Sequence, residues 1–129
     1  MQINQKEIDS VIKLEPIKRY HHFLKRVADN ETMFLLCKNR NDFALTSIDN
    51  YTLFSIWPFE EYANLCKVDE WIEYKTIKIS IEDFEEIIKP LIIQNNYLIN
   101  IFPINNSTGF VVDLNEFIQD LNEELEQYE

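Results

Sequence analysis

SIWPFEEYANLCK, residues 55–67, packs a Trp-Pro step, two adjacent carboxylates, three aromatics and a cysteine into thirteen positions. It is either a reactive site or a strand handing over to a helix. Pro58 stops an extended run and suits the first position of a helix, where the missing N–H costs nothing. After it, Phe59, Tyr62, Ala63 and Cys66 recur at i, i+3, i+4 and i+7, one buried stripe, while Glu60 and Glu61 take the first turn, where carboxylates complement the helix dipole. The spacing therefore predicts a joint at the edge of the core.

Upstream, TMFLLCK, FALTSI and YTLFSIWP are apolar runs divided by short Asn/Asp loops, which predicts a three-strand antiparallel meander. Before it, Pro16 opens a helix through IKRYHHFLKRVAD. Its wheel gathers Ile17, Tyr20, Leu24, Val27 and Ala28 on one side with Phe23 at the edge, and places Lys18, Arg19, His22, Lys25 and Arg26 on the other. A short leading helix precedes Pro16. Downstream, YKTIKISI alternates like a half-buried strand. Ser80 with Asp83 forms a capping-box-like start for a stripe of Ile81, Phe84, Ile87, Ile88 and Leu91, which Pro90 should kink or restart. YLINIFP and GFVVD read as a hairpin turning at NNSTG. Asp113 then caps a helix with Leu114, Phe117, Leu121, Leu125 and Tyr128 inward and an acidic opposite side.

These elements predict an α+β fold: a mostly antiparallel sheet of about five to six strands, the meander plus later strands, with helices packed on it. One domain spans 1–129, with a leading helix over 1–15, a core over 16–113 and an acidic C-terminal helix over 114–129. The 46% hydrophobic and 13% aromatic content is that of a folded globule.

The net charge of −11 is unevenly spread. Residues 1–40 hold eight Lys/Arg against five Asp/Glu, whereas residues 41–129 hold four against eighteen. An acidic surface repels phosphate backbones, so general nucleic-acid binding is disfavoured. No apolar run is long enough to span a bilayer and the start MQINQKEIDS is polar, so the expected protein is cytoplasmic, with no membrane partner. Cys37 and Cys66 lack CxxC partners and read as buried free thiols. With Gly109 the single glycine, the Gly-rich phosphate loops and the GxSxG elbow are excluded. No cofactor and no metal is expected, since HExxH and paired CxxC are lacking and adjacent His21 and His22 diverge by about 100° on a helix.

Candidate chemistry is thin, and enzymatic activity is disfavoured. His21 falls at the edge of the apolar face as a boundary residue, and His22 lies on the basic, solvated face. Glu82 and Glu86 are one turn apart, but the helix N-terminus explains them; Glu123, Glu124 and Glu126 form a charged helix face suited to a basic partner. Trp57 and Trp71, with Phe59 and Tyr62, bracket the helix after Pro58 and read as core, or as an aromatic-lined groove.

RYHHFLKRVADNETMFLL, then IWPFEEYANLCKVDEW, ISIEDFEEIIKPL and INIFP, resemble a bacterial domain of unknown function, family 2750, found in uncharacterised small proteins. The resemblance runs in order from about Arg19 to Pro103 and rests chiefly on KRVAD (25–29) and WPFEEYA (57–63). It implies a compact bacterial domain and carries no functional residue. The expectation is a non-enzymatic protein-interaction domain (adaptor, immunity-type or antagonist) presenting Glu82, Glu86, Glu123, Glu124 and Glu126 to a basic protein. The alternative is a small-ligand binder or enzyme with a pocket near His21, Trp57, Tyr62 and Cys66.

Overall fold

The computed structural model describes residues 3–105 and 107–127. Helix α1 (Gln5–Val11) starts where the Asn4 side chain accepts the Glu7 N–H, and α2 (Pro16–Asn30) starts with Pro in its first turn. The strands are β1 (Thr32–Cys37), β2 (Leu45–Ile48), β3 (Tyr51–Ile56), β4 (Lys75–Ser80), β5 (Leu98–Ile101) and β6 (Phe110–Val112). Between β3 and β4 lie α3 (Glu60–Leu65) and a short 3₁₀ turn, Asp69–Trp71. A continuous helical segment follows β4: α4 (Ile81–Asp83), a π-helical turn (Phe84–Ile88) and α5 (Lys89–Asn95). Helix α6 (Leu114–Glu126) ends the described chain, capped by the Asp113 side chain, which accepts the Glu116 N–H. Tyr128, predicted to face inward, lies outside the described residues.

The α+β class holds, but the sheet is neither single nor purely antiparallel. Four strands run in the order β2-β3-β5-β6, with β3 and β5 parallel, and β1 pairs with β4 in a two-stranded sheet. The predicted meander is thus a β2-β3 hairpin plus a strand that belongs to the other sheet. β1 bonds the residues flanking that hairpin through the bridges Phe34–Trp57 and Cys37–Phe43, and spends its other edge on β4. Apolar runs reveal strands without revealing direction. Here the long connection through α3, β4 and the 81–95 helix brings β5 back parallel to β3, as only a crossover can.

Two helices also differ in facing. The buried side of α2 comprises Arg19, Tyr20, Phe23, Leu24, Val27 and Ala28, so the helix is rolled toward its basic side and Ile17 is 41% exposed. In the 81–95 segment, Phe84, Ile88 and Ile92 are buried while Ile87 is 60% exposed. Pro90 cannot donate to Glu86 and its ring crowds that carbonyl. The wider π-turn accommodates this and shifts the later side chains around the axis. Pro90 therefore restarts the helix, as predicted, and the capping box at Ser80 and Asp83 is present.

One sheet face, carrying Phe54, Ile56, Ile99, Ile101 and Val112, packs against the helices; Tyr20 of α2 stacks on Phe110 at 4.6 Å, and Phe117 of α6 meets Phe23 and Phe84. The register pairs Ser55 with Asn100, and these two residues, with Leu53 and Thr46, lie on the opposite face.

Candidate functional site

The parallel strands end alike. Ser55-Ile56-Trp57-Pro58 closes β3 and Asn100-Ile101-Phe102-Pro103 closes β5, with Ile56 opposite Ile101. Trp57 continues extended and exchanges two 2.9 Å backbone bonds with Phe34. Phe102 donates its N–H to the Ile56 carbonyl at 2.8 Å, then turns into the left-handed region at φ 58°, which costs a side-chain-bearing residue about 1–2 kcal/mol. The two ends are tied together by the Trp57 indole N–H, which donates to the Pro103 carbonyl at 2.8 Å.

Arg19 holds the Phe102 bend. The residue is 2% exposed, and its guanidinium donates through Nε to the Phe102 carbonyl at 3.1 Å, through Nη1 to Leu14 at 2.6 Å and through Nη2 to Thr108 at 3.4 Å. One side chain thus joins the α1–α2 link, the end of β5 and the loop entering β6. A planar fork with five donors satisfies carbonyls in several directions, which an ammonium cannot. The periodicity placed Arg19 on the solvated face. It is instead a structural residue, because three backbone carbonyls, those of Leu14, Phe102 and Thr108, converge on its position.

The loop after Phe102 folds back over the outer sheet face. Ile104 and Ser107 exchange backbone bonds, and Gly109 donates its N–H to the Asn100 side-chain oxygen at 2.8 Å. A Cβ on Gly109 would come within 2.0 Å of the Ile101 carbonyl oxygen, so only glycine fits. Asn100, 2% exposed, also donates to Ser55 Oγ at 3.3 Å. Between this loop, the outer sheet face and the 3₁₀ turn lies a cavity of about 330 Å³. Asn100, Thr46 and Ser47 border it from the sheet, Pro103, Ser107 and Thr108 from the loop, and Cys66, Asp69, Glu70 and Trp71 from the segment after α3.

Of the four residues predicted to share a pocket, only Cys66 borders this cavity. Trp57 is fully buried beneath it, edge-on to Trp71 at 6.1 Å. Tyr62 packs on Phe102 at 4.5 Å with its hydroxyl buried, and His21 is exposed. Cys66 donates its thiol to the Pro103 carbonyl at 3.4 Å; burial pushes its pKa up to about 11, with the Trp57 N–H and the Arg19 charge opposing. At neutral pH it is a thiol and not a nucleophilic thiolate. Cys37 is buried too, and its thiol donates to the Asn39 carbonyl.

The histidines exchange the roles their spacing suggested. His22 is the half-buried one, its Nε2 3.8 Å from a Glu7 oxygen, and burial together with Arg26 lowers its pKa against the opposing pull of Glu7. Glu7 receives Arg26 Nη2 at 2.9 Å on both oxygens, which anchors α1 across α2. Among the described residues, no three His, Cys, Asp or Glu side chains gather in a way that would hold a metal ion, and no helix is long and apolar enough to cross a membrane.

The five predicted glutamates lie on two adjoining helices. Phe84 meets Phe117 edge-on at 5.4 Å, which sets the 81–95 segment beside α6. Glu82, Glu86, Glu123 and Glu126 are exposed and Glu124 is half-buried. Across the two helices nine carboxylates face a single lysine, Lys89, which pairs with Glu85 at 3.4 Å.

Asn100, Asp69, Glu70 and Thr108 were not singled out by spacing. The usable signal was Asn100: a polar residue between Ile99 and Ile101 must point away from the face those isoleucines bury.

No curated protein and no solved structure matches the chain. The sequence model of a family described as "Protein of unknown function (DUF2750)" matches residues 20–121. That span takes in β1 to β6, the aligned strand ends and the cavity, and leaves Arg19 and Glu7 outside it. The match includes the KRVAD and WPFEEYA runs on which the resemblance rested, and the chain belongs to the DUF2750 family of proteins of unknown function.

Proposed function

We propose that this protein is a non-enzymatic interaction domain, an adaptor or antagonist, that receives a basic protein partner on the acidic surface of α6 and the 81–95 helix. The observation that carries the reading is the charge of that helix pair: nine carboxylates against one lysine on elements that adjoin through Phe84 and Phe117. Each helix alone would be an ordinary solvated face. Side by side they concentrate negative potential, which steers a cationic surface into encounter and makes association salt-sensitive. Cys66 offers no thiolate at neutral pH, which also favours binding over nucleophilic chemistry.

The test is charge reversal in the protein that captures a partner from its host lysate at low salt. Replacing Glu123, Glu124 and Glu126 together by lysine is expected to abolish capture while moving the melting temperature by only a few degrees, since exposed charges contribute little to stability. Retained capture by the triple variant overturns the assignment of this surface.

A further inference from the structure

The cavity over the outer sheet face is not part of the acidic helix pair. It opens on the side of the sheet opposite α2 and α6, because Asn100 points away from the face that Ile99 and Ile101 bury against those helices. Its volume, about 330 Å³, is at the small end of the range in which proteins hold small ligands. Its lining is chemically one-sided. The rim carries two carboxylates, Asp69 and Glu70, and the described lining contains no lysine, arginine or histidine. The rest of the polar lining is the Asn100 amide and the hydroxyls of Thr46, Ser47, Ser107 and Thr108, with the Trp71 indole beside them.

That indole is held in place. Trp71 stands edge-on to Trp57 at 6.1 Å, and Trp57 is pinned to the Pro103 carbonyl, itself on the cavity border. The backbone is bent on both sides of the opening, at Asp69 (φ 52°) and Phe102 (φ 58°), conformations that non-glycine residues adopt only when their surroundings demand it. An anion would meet two carboxylates with no counter-charge, and a purely apolar guest would leave that charge and the lining hydroxyls unused. An ammonium or guanidinium meets opposite charge at the rim, an indole beside it and hydroxyl oxygens that can accept from it.

We infer that this cavity binds a small organic cation, a protonated amine or guanidinium on a short apolar stem, with Asp69, Glu70, Trp71, Asn100 and Thr108 as its contacts. The same group is borne by free metabolites and by lysine or arginine side chains of other proteins. The inference does not depend on the acidic helix pair: the two surfaces lie on opposite sides of the sheet and fail separately.

The experiment is titration of the isotope-labelled full chain with n-butylguanidinium and n-butylammonium, followed by amide, Asn side-chain and indole N–H resonances, with n-pentanol and butyrate as neutral and anionic controls. The expected result is saturable shifts at the Trp71 indole, Thr108 and the Asn100 amide, with the cations binding roughly tenfold or more tightly than pentanol. Asp69→Asn with Glu70→Gln should erase that preference; both positions are exposed, and Asn tolerates the positive φ at residue 69, so the fold should stand. A capped Gly-Arg-Gly peptide separates the sources: tighter binding than butylguanidinium assigns the group to a protein side chain, weaker binding to a free metabolite. Equal responses to cation, alcohol and butyrate, the absence of saturation, or a cation preference that survives in the double variant would each overturn the inference.

Discussion

The ends of β3 and β5 are the same short phrase, Ile-aromatic-Pro, set side by side by a parallel register, yet the two aromatics adopt different backbones. Trp57 stays extended because β1 supplies a backbone partner at Phe34. Phe102 has a single backbone bond to a strand, from its N–H to Ile56 of β3, and no strand bonds its carbonyl. Its carbonyl turns to meet the Arg19 guanidinium, and the bend starts the loop that encloses the cavity. Local sequence ends both strands, since a proline cannot continue a ladder. The neighbour decides how the chain leaves.

Arg19 offers the strongest way to break this contrast. Arg19→Met keeps the stem but strips the donors from three carbonyls, and is expected to cost about 3 kcal/mol in denaturant-induced unfolding. Arg19→Lys should recover no more than half, because one ammonium cannot reach acceptors placed around a planar fork. A loss under about 1 kcal/mol for Arg19→Met would mean that the Phe102 bend stands without it.

A smaller effect tests the conformations directly. At Phe102, glycine should be more stable than alanine by about 1 kcal/mol, because glycine enters the left-handed region freely. At Trp57 the order should reverse by a similar amount, since glycine in an extended segment is the costlier choice. Measuring the two Gly/Ala pairs by urea denaturation gives opposite signs if the ends differ as described, and equal signs if they do not.

The least stability is at stake at Cys66, which lies against both ends. Its raised pKa means that the native state keeps the thiol proton longer than the unfolded chain does. Stability should be indifferent to this group below pH 9.0 and fall as pH rises from 9.0 toward about 11. Native-state thiol labelling should accordingly be slow at pH 7 and keep accelerating past pH 9.0. A labelling rate that levels off at pH 9.0 would place the sulfur in an ordinary aqueous setting.

Much of the molecule was legible as pattern. Pro16, Ser80 with Asp83, and Asp113 announce helix starts that the structure keeps. The stripe Phe59, Tyr62, Ala63, Cys66 is buried throughout, though α3 begins at Glu60, two residues after Pro58, and Cys66 lies just beyond its end. These are local signals, carried by capping, by proline and by a period of 3.6 residues.

The candidate site was less legible because its parts are distant in sequence. Trp71 stood out as an aromatic, but nothing near residue 71 indicates Asn100 or Thr108 as its companions. Arg19 and His22 misled for a related reason: a helical wheel ranks residues by hydrophobicity, whereas burial at those positions follows from what lies opposite, carbonyls for Arg19 and Glu7 with Phe102 for His22. Ile87 misled through a π-turn that a wheel of fixed pitch cannot contain.

Element identity, helix limits, the acidic character of the last two helices and family membership thus follow from the order of residues, since each depends on neighbours a few positions apart. The parallel pairing of β3 with β5, the burial of Arg19, the bend at Phe102 and the cavity beneath the 102–109 loop do not. They arise where segments some forty to ninety residues apart meet, and hydrogen bonds across such separations are chosen by which partners the packed core leaves unsatisfied.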